Sequence, residues 1–334
     1  MKAQAVVFED RNQVDFREIQ VPDPTPGDVV VRTRFSWISN GTESSYLRGE
    51  RSNGESPYRA GGPPIFPRVP GYQKTGTVET VGSQVDGLRR GDWVFVAGSR
   101  VDYGVTEAGG HISTAVAAPD SIWKLPAGVD PEAASGLVLT QVGYNCGARP
   151  SVDPGDVGVV IGDGLVGHWA AQTLAQRGAR VLMIGRHSFR LQLLQVSRAA
   201  TINASETDPI ESLRQNASVS SKGIAILVDT VGDIRALNES LPLMKHDGHI
   251  VSAGFYGTEG MIDIQKLRRG EQTLHCPSGW SRPRMDRTLQ LIARGELETK
   301  SLITHRFPAR EAQTAWDLIL NRRETSLGIV LEWD

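Results

Sequence analysis

Residues Asp156 to Gly167 read D-V-G-V-V-I-G-D-G-L-V-G, and their reading decides the fold. A mostly apolar run, Val157 to Ile161, meets glycines at Gly162, Gly164 and Gly167, after which Trp169, Ala170, Leu174 and Ala175 recur at helical spacing. The pattern is strand, tight turn, helix. In such a turn the first glycine makes the bend, the second removes the Cβ that would hold a pyrophosphate away, and the third lets helix pack on strand. The helix start then offers free N–H groups and a partial positive charge to phosphates. A second strand, Arg180 to Ile184, closes the unit, so the turn formed by Gly162, Asp163, Gly164, Leu165, Val166 and Gly167 is expected to cradle a dinucleotide.

The 334 residues exceed one comfortable core and imply two domains. Charged residues make up 22% and the formal net charge is −2 with no basic stripe, which argues against a nucleic-acid partner. No apolar run approaches the ~20 residues that cross a bilayer. The segment Met1 to Phe8 patterns as a first strand and not as a signal peptide, so no membrane partner and a cytoplasmic location are expected. The only cysteines, Cys146 and Cys276, cannot build a metal cage by themselves and are read as two buried thiols.

The first ~120 residues carry short β-like runs broken by Pro and Gly, at Ala5–Phe8, Asp28–Phe35, Gly76–Val81, Asp92–Val96 and His111–Ala117. They predict a compact, mainly antiparallel, barrel-like domain. Arg48 to Pro70, loaded with Gly, Pro, Ser and Arg, reads as a long surface loop that shapes a pocket. From Pro131 a helical stretch to Gly143 leads into strands at Val157–Ile161, Arg180–Ile184, Ile224–Val228 and His249–Ala253 with helices between them, a doubly wound parallel sheet. A helix (Met285 to Arg294), a strand (Ile303 to Phe307), a helix (Arg310 to Asn321) and a strand (Leu327 to Leu331) end the chain.

In chain order stand Pro26-Gly27-Asp28-Val29-Val30-Val31, Gly41-Thr42-Glu43, Pro70-Gly71-Tyr72, Gly76-Thr77-Val78, Gly91-Asp92-Trp93-Val94, Gly109-Gly110-His111, the glycine turn, Asp229-Thr230-Val231-Gly232 and Gly248-His249-Ile250-Val251. Together they resemble the medium-chain dehydrogenase/reductase superfamily over nearly the whole chain. The resemblance implies an α/β protein with a GroES-like β-rich catalytic domain, residues 1–141 with 279–334, and a Rossmann cofactor domain, residues 142–278. It also implies a small-molecule substrate and a homodimer joined through Rossmann sheet edges, a route assigned to the strand after Gly248.

Where the zinc-dependent members carry the Cys of a C-G-T-D motif, this chain has Asn40 before Gly41-Thr42-Glu43; where they carry the His of G-H-E it has Tyr72; their third ligand falls at about Val138. Catalytic zinc takes about three His, Cys or carboxylate ligands, so no metal is expected. Asp92 to His111 also lacks the four cysteines of the structural zinc lobe. Among zinc-less branches, S-N-G-T-E and P-G-Y are most similar to the group around bacteriochlorophyllide (hydroxyethyl) dehydrogenase, with sugar or polyol enzymes as sister possibilities.

The resemblance also assigns candidate residues. Tyr72 becomes a general acid for reduction or, at a lowered pKa, a base for oxidation; Thr42 bonds the reacting oxygen; Asn40 donates to a developing oxyanion; Glu43 is a polar pocket or salt-bridge residue. At the end of the second Rossmann strand Gly185 replaces the acid that holds the ribose hydroxyls of NAD, and Arg186, His187 and Arg190 follow, which favours NADP(H). Thr230, Val231, Gly254 and Phe255 end the later strands, where the crevice receives the cofactor. Tyr46 and His111 are candidate pocket-lining residues, and Trp280, Arg282 and Arg284 read as a surface turn. The expected activity is zinc-independent, NADP(H)-dependent interconversion of a secondary alcohol and a ketone. The alternatives are an enoyl- or quinone-type double-bond reductase and a non-catalytic NADP(H) sensor.

Overall fold

The computed structural model describes residues 1–54, 56–105, 109–257, 260–321 and 325–334. Two compact units emerge, Met1–Val138 with Met285–Asp334, and Leu139–Arg284.

The first unit opens with β1 (Lys2–Asp10) and β2 (Gln13–Gln20), an antiparallel pair turned at Asn12, which takes φ 58°. Then come β3 (Val29–Trp37), α1 (Asn40–Leu47), the short strands β4 (Arg51–Asn53) and β5 (Ser56–Pro57), β6 (Lys74–Val81), β7 (Trp93–Val96), β8 (Thr114–Ala117), β9 (Ile122–Lys124) and α2 (Pro131–Ala134). The chain crosses to the second unit within α3 (Leu137–Ala148). There it runs through β10 (Val157–Ile161), α4 (Leu165–Gln176), β11 (Arg180–Gly185), α5 (Ser188–Gln192), β12 (Ala200–Asn203), α6 (Pro209–Gln215), α7 (Ala217–Lys222), β13 (Ile224–Asp229), α8 (Ile234–Ser240), β14 (Met244–Ser252), α9 (Ile264–Arg269) and β15 (Thr273–His275). It returns within α10 (Arg282–Ala293) and finishes with β16 (Ile303–Pro308), α11 (Ala312–Asn321) and β17 (Gly328–Glu332).

Period-two alternation builds the core of the first unit. Along β1, Ala3, Ala5 and Val7 face one apolar cluster with Val29, Val31 and Ile112, while Val6 and Phe8 face another with Trp316, Leu331 and Trp333. A seven-stranded sheet of order β16-β17-β3-β6-β7-β9, with β8 beside β3, frames both. In the second unit six parallel strands run β12-β11-β10-β13-β14-β15. Both faces are covered, with Val157, Val159 and Ile161 in one cluster and Val160 in the other, as a parallel sheet requires. No helix among the described residues is long and apolar enough to cross a membrane.

Several expectations are corrected. The helix expected from Pro131 to Gly143 breaks at Ser135 and Gly136, and Gly136 packs so closely that a Cβ there would lie 2.7 Å from the Trp37 ring. The strand after Gly248 is internal: β14 lies between β13 and β15, and the sheet edge is β15. Arg48 to Pro70 is not wholly a surface loop, since Arg51, Ile65, Arg68 and Val69 are buried and Arg68 pairs with Phe8 of β1. Cys146 is buried but Cys276 is exposed.

Lys74, at the start of β6, is fully buried. Its Nζ donates to the Gly109 carbonyl at 2.8 Å, and burial pulls the amine down to about 7. An unfolded lysine keeps its proton up to its ordinary value of 10.5, so between pH 7 and 10.5 the unfolded chain binds more protons than the native one. Stability therefore rises with pH across that window. Lys74→Met removes the penalty, and Ser99 Oγ–H still serves the Gly109 carbonyl. Thermal unfolding should show the variant more stable by roughly 1–3 kcal/mol at pH 7 and by less at pH 10; equal melting shifts at both pH values would refute the assignment.

Candidate functional site

The polar centre of the first unit begins at the α1 N-terminus. Ser39 occupies the N-cap position, where a serine hydroxyl ordinarily accepts a helix N–H, yet it makes no side-chain cap bond. Its Oγ instead accepts the Tyr72 hydroxyl at 2.7 Å. Glu43, one turn into the helix, reaches back and takes the Ser39 N–H on Oε1 at 2.7 Å. Its Oε2 lies 2.8 Å from His111 Nε2, and both residues are buried. His111 Nδ1 meets Ser36 Oγ at 2.8 Å, and Ser36 Oγ accepts Trp333 Nε1–H, also at 2.8 Å.

Glycines make this approach possible. Gly71 sits at φ +81°, and a Cβ there would lie 2.7 Å from the His111 ring. The Gly110 and His111 N–H groups both donate to the Pro70 carbonyl, which clamps P-G-Y against G-G-H. Tyr72 is half-buried. Burial holds its phenol above the usual tyrosine range and the Glu43 carboxylate adds to this, while the Ser39 and Thr42 hydroxyls and the Arg51 charge pull the other way. A phenol so placed keeps its proton at neutral pH, which suits an acid and not a base.

The expected residues Asn40, Thr42, Glu43 and Tyr72 thus gather at one helix start. Asn40 spends an amide N–H on the Leu327 carbonyl, leaving its buried Oδ1 without a hydrogen bond. Thr42 is half-buried beside Tyr72. Glu43 and His111 do not line a pocket; each is the other's partner. Tyr46 is half-buried, with the Arg68 guanidinium 3.9 Å over its ring, and Trp280 is exposed. Ser36, Ser39 and Trp333 went unread in the sequence, although a serine just ahead of a helix with a glutamate inside its first turns is a capping signal.

A zinc ion does not fit the three positions that hold it in zinc-dependent relatives. Asn40 offers an amide already engaged, Tyr72 a protonated phenol, and Val138 an aliphatic side chain packed with Phe95 and Leu137. Among the described residues, the converging metal-type donors are His246, Asp247 and Glu271, all exposed and in the other unit.

In the second unit the glycine turn has the geometry that its sequence implies. Gly162 takes φ +117° against Thr230, and a Cβ at Gly167 would strike the Gly162 carbonyl oxygen at 2.1 Å. A Cβ at Gly164, before the twelve-residue α4, would meet nothing within 4 Å. That open space fits a pyrophosphate at the helix start, beside Leu165 and Val166. Asp229 accepts the N–H groups of Val231, Gly232 and Asp233 and the Tyr256 hydroxyl, which fixes the Thr230–Val231 turn. A Cβ at Gly254 would strike the Gly232 nitrogen at 1.9 Å, so Gly254 and Phe255 close on that turn.

Gly185 has a different cause from the one expected. The space beside it is not left open for a phosphate, because a Cβ there would lie 2.5 Å from the Asp163 side chain. The buried Asp163 carboxylate accepts the Arg186 and His187 N–H groups at 2.8 Å each, contacts His187 Nδ1 at 3.0 Å, and faces Arg190 at 3.6 Å. The Arg186 side chain stands 70% exposed.

A family model described as zinc-binding dehydrogenase matches residues 166–294. Over 335 residues the chain is 25% identical to the 2-desacetyl-2-hydroxyethyl bacteriochlorophyllide A dehydrogenase of Rhodobacter capsulatus, covering 100% of this chain and 99% of that one. A short chain alcohol dehydrogenase of Escherichia coli complexed with NADH has a TM-score of 0.83 at 22% identity over 99% of each chain. Together these matches support the medium-chain dehydrogenase/reductase superfamily for this chain. A Sinorhizobium meliloti structure bound to NADP likewise has a TM-score of 0.83, at 19% identity over 99% of each chain.

The roles of Gly164 and Gly167 in the turn should separate by experiment. Gly164→Ala should leave the melting temperature within about 2 °C and weaken NAD(P)H binding at least about tenfold, because its Cβ meets nothing within 4 Å in the protein and enters the space assigned to the pyrophosphate. Gly167→Ala should lower stability by about 2 kcal/mol or more through its clash with backbone. Calorimetry with nicotinamide fluorescence reads both, and equal destabilisation by the two variants would contradict the assignment.

Proposed function

We propose that this chain is a zinc-independent, NADP(H)-dependent oxidoreductase that interconverts a secondary alcohol and a ketone. The observation that carries the reading is the Tyr72 phenol, buried enough to keep its proton and already donating it to Ser39. Nicotinamide, when bound, supplies or accepts the hydride. The chain's own residues manage the proton. As charge develops on the carbonyl oxygen, Tyr72 Oη–H turns from Ser39 Oγ to donate there, and the Ser39 and Thr42 hydroxyls then donate to the phenolate that is left. Burial and the neighbouring Glu43 disfavour that phenolate, which keeps Tyr72 protonated and ready to donate across the neutral range.

NADP(H) is supported by Arg186, whose guanidinium is 70% exposed with only a long 3.9 Å contact to Asp233 Oδ2, and by the absence at Gly185 of a carboxylate for the ribose hydroxyls. Asp163 does not take that role, since its oxygens are occupied by the segment from Arg186 to Arg190. The R. capsulatus relative's name, a hydroxyethyl-group dehydrogenase, supports a secondary alcohol as substrate. The same reading takes the chain as a cytoplasmic homodimer.

Tyr72→Phe should lower kcat for ketone reduction about 10²-fold or more with NADPH binding unchanged. The wild-type reduction rate should show no loss assignable to Tyr72 below pH 10, because an acid acts while protonated and this phenol lies above its ordinary value of 10.0. Wild-type turnover in Tyr72→Phe, or tighter binding of NADH than of NADPH in a fluorescence titration, would contradict the corresponding part of the reading.

A further inference from the structure

We infer that His111 is a positioning residue of the reaction centre: through Glu43 and Ser39 it fixes the hydroxyl of Tyr72. The inference rests on the reading of Tyr72 as the proton donor and extends it to a fully buried residue.

Hydrogen-bond bookkeeping gives the path a direction. Trp333 Nε1 can only donate, so Ser36 Oγ is the acceptor there and its own hydrogen is free to point at His111 Nδ1. The His111 proton then sits on Nε2 and donates to Glu43 Oε2. Glu43 Oε1 takes the Ser39 N–H, and Ser39 Oγ takes the Tyr72 hydroxyl. Every link is between 2.7 and 2.8 Å and the three central residues, Ser36, His111 and Glu43, are buried. Trp316 packs edge-on to the imidazole at 5.4 Å, and Gly71, immediately before Tyr72, lies against the same ring. His111 therefore touches the Tyr72 segment from two sides, by packing at Gly71 and by hydrogen bonds through Glu43.

A purely structural role predicts otherwise. Burying a carboxylate costs more than packing an apolar side chain of similar size, so the pair is a poor device for stability alone. What it adds is a fixed negative charge beside Tyr72. Among the described residues, Arg51 of β4 opposes the charge of Glu43 at the phenol, Lys74 of β6 lies opposite Ser36 in the sheet register, and Arg68 stacks on Tyr46 of α1.

The test uses the full-length protein with NADPH and a reducible ketone, in the variants Glu43→Gln, His111→Gln and Tyr72→Phe. Glu43→Gln keeps the shape and removes the charge. It should lower kcat at least about tenfold and move the alkaline limb of the reduction profile to lower pH. His111→Gln should do the same with KM for NADPH unchanged. Ultraviolet titration, taken as the difference from Tyr72→Phe, should show the Tyr72 phenol ionising at lower pH in both variants, independently of turnover. Should His111→Gln fail to fold, Glu43→Gln decides alone. A loss of activity confined to Tyr72→Phe, with wild-type kcat and titration in the other two, overturns the positioning role and leaves the Tyr72 reading standing. Unimpaired turnover in Tyr72→Phe overturns both.

Discussion

A buried carboxylate needs donors, and much of the β-rich unit is arranged to supply them to Glu43. One donor is local, the Ser39 N–H at the start of α1; the other, His111, comes from the far side of the unit and arrives only because Gly71 and Gly110 let two backbone segments touch. Trp333 and Ser36 anchor the imidazole in turn, so the residue just past β17 bears on the helix start beside Tyr72. Replace either glycine and the imidazole loses its seat; the carboxylate would then be buried with half its hydrogen bonds missing, a costlier state than an exposed one.

The parallel-sheet unit uses acids in a similar way at its strand ends. Asp229 gathers three successive N–H groups and a phenol, and Asp163 gathers two N–H groups, an imidazole and a guanidinium. Both carboxylates pin turns at the carboxyl ends of β11 and β13, the edge of an open α/β sheet where ligands bind. Loops held by such bonds are ordered before a ligand arrives, and that reduces the entropy lost on binding.

How much of this was legible in the sequence depended on distance along the chain. The glycine turn was legible because its causes are local: φ at Gly162 and the close approach at Gly167 belong to one strand–turn–helix unit. The two-unit architecture followed from the switch between β-rich and alternating patterns. β15, three residues long, and β12, four, were too short to carry a period, and missing β15 misplaced the sheet edge. Glu43 was recognisable as a polar residue at the site, but its partner lies 68 positions later and nothing local links them. Gly185 shows the same limit. Its missing Cβ read as room for a phosphate, whereas the room is filled by Asp163 from a turn earlier in the chain.

The central claim is that a protonated phenol, and not a metal ion, activates the carbonyl at the Asn40–Tyr72 centre. The most direct measurement is ketone reduction by NADPH after exhaustive dialysis against a chelator, with zinc determined by elemental analysis on the same sample. Full turnover at well under one zinc per chain is the expected result. Stoichiometric zinc, with activity lost on its removal and restored by its return, would contradict it.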